Sequence, residues 1–203
     1  MSFLAGFKRQ LIVAVALWVL AVAIGIGILG KYSATPGRPA APPLDWPASA
    51  RLERGNGRAT LVMFVHPHCP CSRASLEELA KVMAHTVGKL DANVFFYLPS
   101  GEASTWGRTD LWRTAHAIPG VRTFEDRDAI VARSFGAFTS GQTLLYSPGG
   151  RLLFKGGITA FRGHSGDNDG RSAVIALLQD ENVRENALPL VTRVFGCSLR
   201  GEY

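Results

Sequence analysis

The chain has 203 residues, enough for one ordinary domain with appendages, and 47% of them are hydrophobic, which is high for a soluble protein. Its net charge is +6, but arginines such as Arg51, Arg54, Arg58, Arg108, Arg113 and Arg122 are scattered without a basic stripe or an aromatic-interleaved patch, which argues against nucleic acid as a partner. Attraction to anionic lipid accounts for the charge more simply.

The apolar excess lies at the N-terminus. After a tail over residues 1–9, residues 11–29 carry no charged or polar side chain. As a helix they rise roughly 28 Å, about the hydrocarbon thickness of a bilayer. A cleavable signal peptide is the alternative, but its apolar core is shorter, and Tyr32-Ser33-Ala34 puts a bulky residue where a small one is wanted. The expectation is an uncleaved anchor over residues 10–30. Lys8 and Arg9 ahead of it favour a cytoplasmic N-terminus, an asymmetry that Lys31 weakens. Residues 31–50, with five prolines among alanine and glycine between 33 and 50, read as a semi-extended spacer.

A folded domain is expected over residues 51–180. Residues 59–65 form an apolar run that reads as a buried strand. Directly after it stands His66-Pro67-His68-Cys69-Pro70-Cys71-Ser72, with two of the three cysteines of the chain. Residues 72–90 then have helical periodicity, with Leu76, Leu79, Ala80, Met83, Val87 and Leu90 on one face. A strand that delivers thiols to a helix N-terminus puts them at its positive end and beside unpaired N–H groups. Both favour thiolate over thiol, so the sulfur becomes a nucleophile or a metal ligand.

Residues 93–98 read as a second buried strand, stopped by Pro99; 110–118 as a short helix ended by Pro119-Gly120; 121–124 as a short strand; and 128–135 as a further helix. Residues 142–147 and 151–155 are strands joined by Pro148-Gly149-Gly150, a strong hairpin signal. A glycine-rich loop over 156–170 leads to a last helix over 171–179, and 181–203 form a C-terminal tail with Cys197. The order β-α-β-α-β-β-α predicts an α/β domain: parallel strands with right-handed crossovers, an antiparallel edge and helices on both faces.

That order, with a cysteine pair at the end of the first core strand, resembles the thioredoxin-like fold. Gln142-Thr143-Leu144-Leu145-Tyr146 looks like the strand that opens beside the active site of that family. The strings HPHCPCSRASL, SGQTLLY and GHSGDN are similar to a bacterial group of membrane-anchored thioredoxin-like proteins labelled RedB. Two departures matter. One residue, not two, separates the cysteines, and Gln142 stands where the family has a cis-proline before Thr143. In the family that proline helps bind substrate and keep metals off the thiols.

Two functional classes follow. The first is a membrane-tethered thiol–disulfide oxidoreductase without a cofactor, acting on protein thiols or disulfides or on a membrane redox partner. The resemblance implies the periplasmic side of a bacterial inner membrane. Cys69 is the expected nucleophile and Cys71 the resolving thiol; Pro70 limits the backbone between them, and His68, Gln142 and Thr143 support the site. A disulfide closed over one residue is a small, strained ring and easy to reduce. The second class is a copper-binding or assembly protein, because paired thiolates select soft ions. Thioredoxin-like topology returns the 156–170 loop toward the cysteines, so the expected Cu(I) ligands are Cys69, Cys71 and His164, with His68 as the fallback. Cys197 is open between a packed thiol and a resolving or ligand role. The acidic stretch 163–170 lacks the spacing and closing glutamate of an EF-hand loop.

Overall fold

The computed structural model describes residues 2–48, 50, 52, 57–180 and 187–200. Met1 of the expected tail, Ser49 of the spacer, Arg51 and Arg54, and residues 181–186 and 201–203 of the C-terminal tail lie outside the described residues. The chain divides into two units, Met1–Thr35 and Pro36–Tyr203.

The first unit is one helix, α1, Ser2–Ala34. Its 33 residues span about 50 Å at 1.5 Å each. From Gly6 to Ala34 it is long and apolar enough to cross a membrane. It runs past the expected end of the anchor, through Lys31 and Tyr32. No proline stands in that turn to stop it, and the first one is Pro36.

The second unit holds β1 (Ala59–Val65), α2 (Ser72–His85), β2 (Leu90–Leu98), α3 (Ser104–Gly107), α4 (Asp110–His116), β3 (Val121–Arg127), α5 (Ile130–Ser134), β4 (Gln142–Tyr146), β5 (Leu152–Gly156), α6 (Asp169–Gln179) and β6 (Leu190–Val191). The sheet order is β3-β2-β1-β4-β5-β6. β1 pairs parallel to β2 and β2 to β3, while β4 runs antiparallel to both β1 and β5. This mixed sheet with helices on both faces is the expected thioredoxin-like fold.

β1 is buried at every residue, as an unbroken apolar run in the middle of a sheet requires. Its alternate side chains feed two cores. Leu61, Met63 and Val65 pack with Leu76, Leu79 and Val82 of α2, Leu111 and Ala115 of α4, and Val174 and Leu178 of α6. Val62 and Phe64 pack with Phe95, Ala132, Phe135, Leu144 and Tyr146 on the other face. Full burial of each such large apolar side chain stabilises the fold by roughly 1.5–3 kcal/mol.

Several elements differ from expectation. α2 stops at His85, because Gly88 takes a left-handed φ of 76° and Leu90 already pairs with Ala59 in the sheet. Leu90 shared the helical period only by coincidence. The segment 128–135 is helical only over Ile130–Ser134; Asp128 and Ala129 have positive φ, and the Asp126 carboxylate accepts from the N–H groups of Val131 and Ala132 at 2.8 and 2.9 Å.

The described part of the proline-rich spacer after Thr35 is extended, but docked on its own unit. Gly37 N–H donates to Val194 O (2.8 Å), Ala41 N–H to Gly136 O (3.0 Å) and Trp46 N–H to Gly150 O (2.8 Å). Trp46 sets its ring edge-on to both Phe135 and Tyr146, at 5.1 Å each. Proline fixes an extended backbone, but its neighbours keep N–H groups that pair and apolar side chains that bury. The described residues of the C-terminal tail are docked in the same way. β6 adds to β5, and Val194, Phe195 and Leu199 are buried.

Candidate functional site: a three-thiol cluster

β1 ends at Val65, and a tight turn follows. Cys69 N–H donates to His66 O and Ser72 N–H to Cys69 O, both at 3.0 Å. Cys71 is the N-cap residue of α2, and its side chain makes no capping bond, so its sulfur is turned to other partners. The two thiols therefore lie where the apolar run and the helical period place them.

The third thiol comes from the far end of the chain. Cys197 Sγ lies 2.9 Å from Cys69 Sγ, and the sulfurs of Cys69, Cys71 and Cys197 are all within 4.8 Å of one another. Ser140 sets up this meeting. Its Oγ accepts from His66 N–H (2.8 Å) and bonds Ser72 Oγ (2.7 Å), and its N–H donates to Cys197 O (2.8 Å). Ser140, two residues before β4, thus ties the turn, the start of α2 and the C-terminal segment together. Arg162 adds a second tie by donating from Nη1 to Gly196 O at 2.6 Å. Cys69 and Cys71 are buried and Cys197 is half-buried.

The sulfurs set each other's ionisation. Hydrogen bonds from the Cys197 and Cys71 thiols, with help from Cys197 N–H and the Ser72 hydroxyl, outweigh burial and hold Cys69 well below the ordinary thiol range. Cys197 moves the other way, because as a thiol it donates to Cys69, then to Cys71, in a site that also disfavours charge. For Cys71, the Cys197 thiol pulls the pKa down. The bond to Cys69, burial and the Cys69 charge outweigh that pull and the nearby Arg162, so it ends raised. Cys69 is thus the sulfur of the three most disposed to ionise, with the other two thiols as its hydrogen-bond donors. The two neighbouring thiols are the largest contributors that favour its charge. His66 is pushed down by burial, against the Cys69 charge, which pushes it up.

The other expected residues fall around this cluster. His68 is exposed; its ring meets Trp106 edge-on at 4.5 Å, and its N–H donates to His66 Nδ1. With Tyr97, these rings form an aromatic rim beside the turn. Pro70 is exposed between the cysteines. Gln142 is buried and pairs with Phe64 across the sheet, and its Nε2 donates to Gly156 O at 3.1 Å, so its amide bridges β4 and β5. Thr143 is buried beside it and donates to Gly141 O.

His164 does not join the thiols. It is exposed with its ring edge toward Phe161, and the sulfur cluster includes no histidine. The acidic stretch is also committed elsewhere: Asn168 caps α6 by accepting from Arg171 N–H, and Asp167 pairs with Arg171. What fixes this loop is Glu78, a fully buried carboxylate on α2 that sequence reading missed. It accepts from Lys81, Ser165, Gly166 N–H, Asn168 and Arg171. Its signal was a charged residue in step with Ser75 and Val82 on the buried side of an amphipathic helix.

No protein-family model matches the chain, and no curated protein matches it significantly. Solved structures do. A hypothetical protein from Sinorhizobium meliloti is 26% identical, with a TM-score of 0.54, covering 83% of this chain and 95% of that one. An uncharacterised conserved protein from Geobacillus kaustophilus is 17% identical, with a TM-score of 0.53, covering 82% and 92%. A secreted Mycobacterium tuberculosis disulfide oxidoreductase is more distant, at 14% identity and a TM-score of 0.43, covering 60% and 82%.

Proposed function

We propose that the chain is a membrane-tethered thiol–disulfide oxidoreductase whose nucleophile is Cys69. The observation that carries this reading is the 2.9 Å approach of Cys197 Sγ to Cys69 Sγ, with Cys71 in the same cluster. A disulfide bond is about 2.05 Å long, so a small side-chain rotation joins the nearest pair.

In the reductive direction the Cys69 thiolate attacks one sulfur of a substrate disulfide. The substrate S–S bond breaks, a Cys69–substrate disulfide forms, and the first substrate thiolate leaves and takes a proton. Cys197 or Cys71 then gives up its proton and attacks Cys69 Sγ. The second substrate thiol leaves, and the protein is left with an internal disulfide, oxidised by two electrons. Distance favours Cys197 as the resolving thiol, and Cys71 is within exchange reach. An external dithiol resets the cluster. His68 and Trp106 border the turn where a polypeptide substrate would lie, and Pro70 keeps the turn short.

Substrates of this reading are protein thiols and disulfides, or a redox partner in the membrane. The anchor is α1, with the second unit on the extracytoplasmic side of a bacterial inner membrane. The test is reduction of insulin disulfides by the detergent-solubilised full chain with dithiothreitol as donor. Turnover above the dithiothreitol background is expected, and Cys69→Ser should return it to background. Background rates with the unaltered chain would reject the reading.

A further inference from the structure

The same three sulfurs have a geometry that thiol exchange does not require. Exchange needs two thiols, and here two strands of chain, 128 residues apart, bring a third into mutual contact. We infer that Cys69, Cys71 and Cys197 form a trigonal all-sulfur site for a soft monovalent ion, Cu(I).

The size fits. With metal–sulfur bonds of about 2.3 Å, a planar three-sulfur site has edges of about 4 Å. The cluster lies inside 4.8 Å on every edge, and its short edge is the 2.9 Å between Cys69 and Cys197. Opening that edge by about 1 Å centres an ion, a displacement within reach of side-chain rotation.

The donor set selects the ion. Thiolate sulfur prefers Cu(I), Zn(II) or iron–sulfur clusters over hard cations. Structural Zn(II) takes four protein ligands in a tetrahedron. Among the described residues, no histidine, aspartate or glutamate joins the three sulfurs. Cu(I) is satisfied by three. The expected ligand set changes accordingly, with Cys197 in the place assigned to His164.

The surroundings suit the charge. Three thiolates around Cu(I) carry two net negative charges. They sit at the N-terminus of α2, a 14-residue helix, and Arg162 lies close enough to act on Cys71. The frame is also pre-built. Arg162 holds Gly196 O, Ser140 N–H holds Cys197 O, and Leu199 N–H donates to Phe138 O at 2.9 Å, fixing the backbone on both sides of the third ligand. Binding changes no oxidation state: the thiols lose protons as they ligate.

The test uses the full chain in detergent, reduced and free of oxygen, titrated with Cu(I) against a chromophoric Cu(I) chelator. One equivalent should bind, and X-ray absorption should count three sulfurs and no nitrogen. Cys197→Ser and Cys71→Ser should each weaken binding by about tenfold or more. His164→Ala should leave affinity unchanged. Because the sulfur count is read on the unaltered chain, a misfolded variant cannot decide the outcome. Two sulfurs in that spectrum, nitrogen in the first shell, or displacement of Cu(I) by an equivalent of Zn(II) would overturn the site. Insulin reduction on the same samples separates the two readings: active protein that does not hold copper removes this inference alone, and copper-binding protein that does not turn over removes the redox reading alone.

Discussion

Replacing Gly196 by alanine should separate the third thiol from the other two without touching a sulfur. Gly196 is needed for close approach: a Cβ there would sit 1.9 Å from Ser140 O and 2.9 Å from Ser140 C. An ordinary carbon–oxygen contact is about 3.3 Å, so the C-terminal segment must retreat by about 1.4 Å. Ser140 O is backbone, and the next residue is held by Gly141 N–H donating to Phe64 O at 2.7 Å, so it cannot swing away cheaply. The retreat takes the 2.8 Å bond between Ser140 N–H and Cys197 O beyond hydrogen-bonding range. It leaves a buried donor unpaired, which costs about 1–3 kcal/mol, and overpacking adds about 1–3 kcal/mol. For a unit of this size, a loss of roughly 2–6 kcal/mol lowers Tm by about 5–20 °C. The assay is near-UV circular dichroism melting of the full chain in detergent, followed by mild oxidation and peptide mapping of disulfides. We expect the lower Tm and a sharp loss of the Cys69–Cys197 disulfide. An unchanged Tm with an unchanged yield of that disulfide would refute the tight seating of Gly196 on Ser140.

Three further outcomes follow from the same geometry. Burial pushes the Glu78 carboxyl up, but its hydrogen bonds, from Lys81, Ser165, Arg171 and Gly166 N–H, outweigh that and hold it below the usual carboxylate range. Its stabilisation is therefore present above the unfolded pKa and is lost as pH falls through the folded one, so Glu78→Gln should cost about 2–4 kcal/mol at pH 7 and flatten urea-denaturation stability across that acid window. With metal excluded and thiols reduced, one thiolate's absorbance at 240 nm should persist at pH 6, where an ordinary thiol of pKa about 8.5 is protonated; Cys69→Ser should remove it, and Cys197→Ser should move its loss to higher pH. Alkaline phosphatase fused after residue 50 should be active in a bacterial host, and an inactive fusion of normal abundance would place the second unit on the cytoplasmic side.

Much of the fold was legible because its signals are local. The run 59–65 could only be a buried strand, the two cysteines stood at its end, and Pro148-Gly149-Gly150 marked the hairpin. Errors arose where a local period met a non-local demand. Leu90 kept step with α2, but its pairing with Ala59 claims it for the sheet. The spacer read as semi-extended and the tail was assigned no element, because proline and short polar runs say nothing of partners in space; Trp46 against Phe135 and Tyr146, and the two-residue β6 on β5, supply those partners. The candidate site was half legible for the same reason. Cys69 and Cys71 are neighbours in the chain. Cys197 reaches them through β6, the Ser140 hydrogen bond and the close packing of Gly196, none of which has a sequence signature. His164 had the right loop in the resemblance, but Glu78 pins that loop over α2, and the imidazole stays exposed.

The most direct measurement of the central claim is a trapping experiment on the full chain with both resolving thiols removed. Cys71→Ser combined with Cys197→Ser leaves Cys69 as the one thiol, able to attack but unable to release its substrate. Incubated with a peptide disulfide and analysed by mass spectrometry without reductant, this variant should accumulate a mixed disulfide on Cys69, while the unaltered chain should accumulate none and instead carry an internal disulfide from Cys69. Absence of the adduct in a correctly folded double variant would contradict Cys69 as the nucleophile.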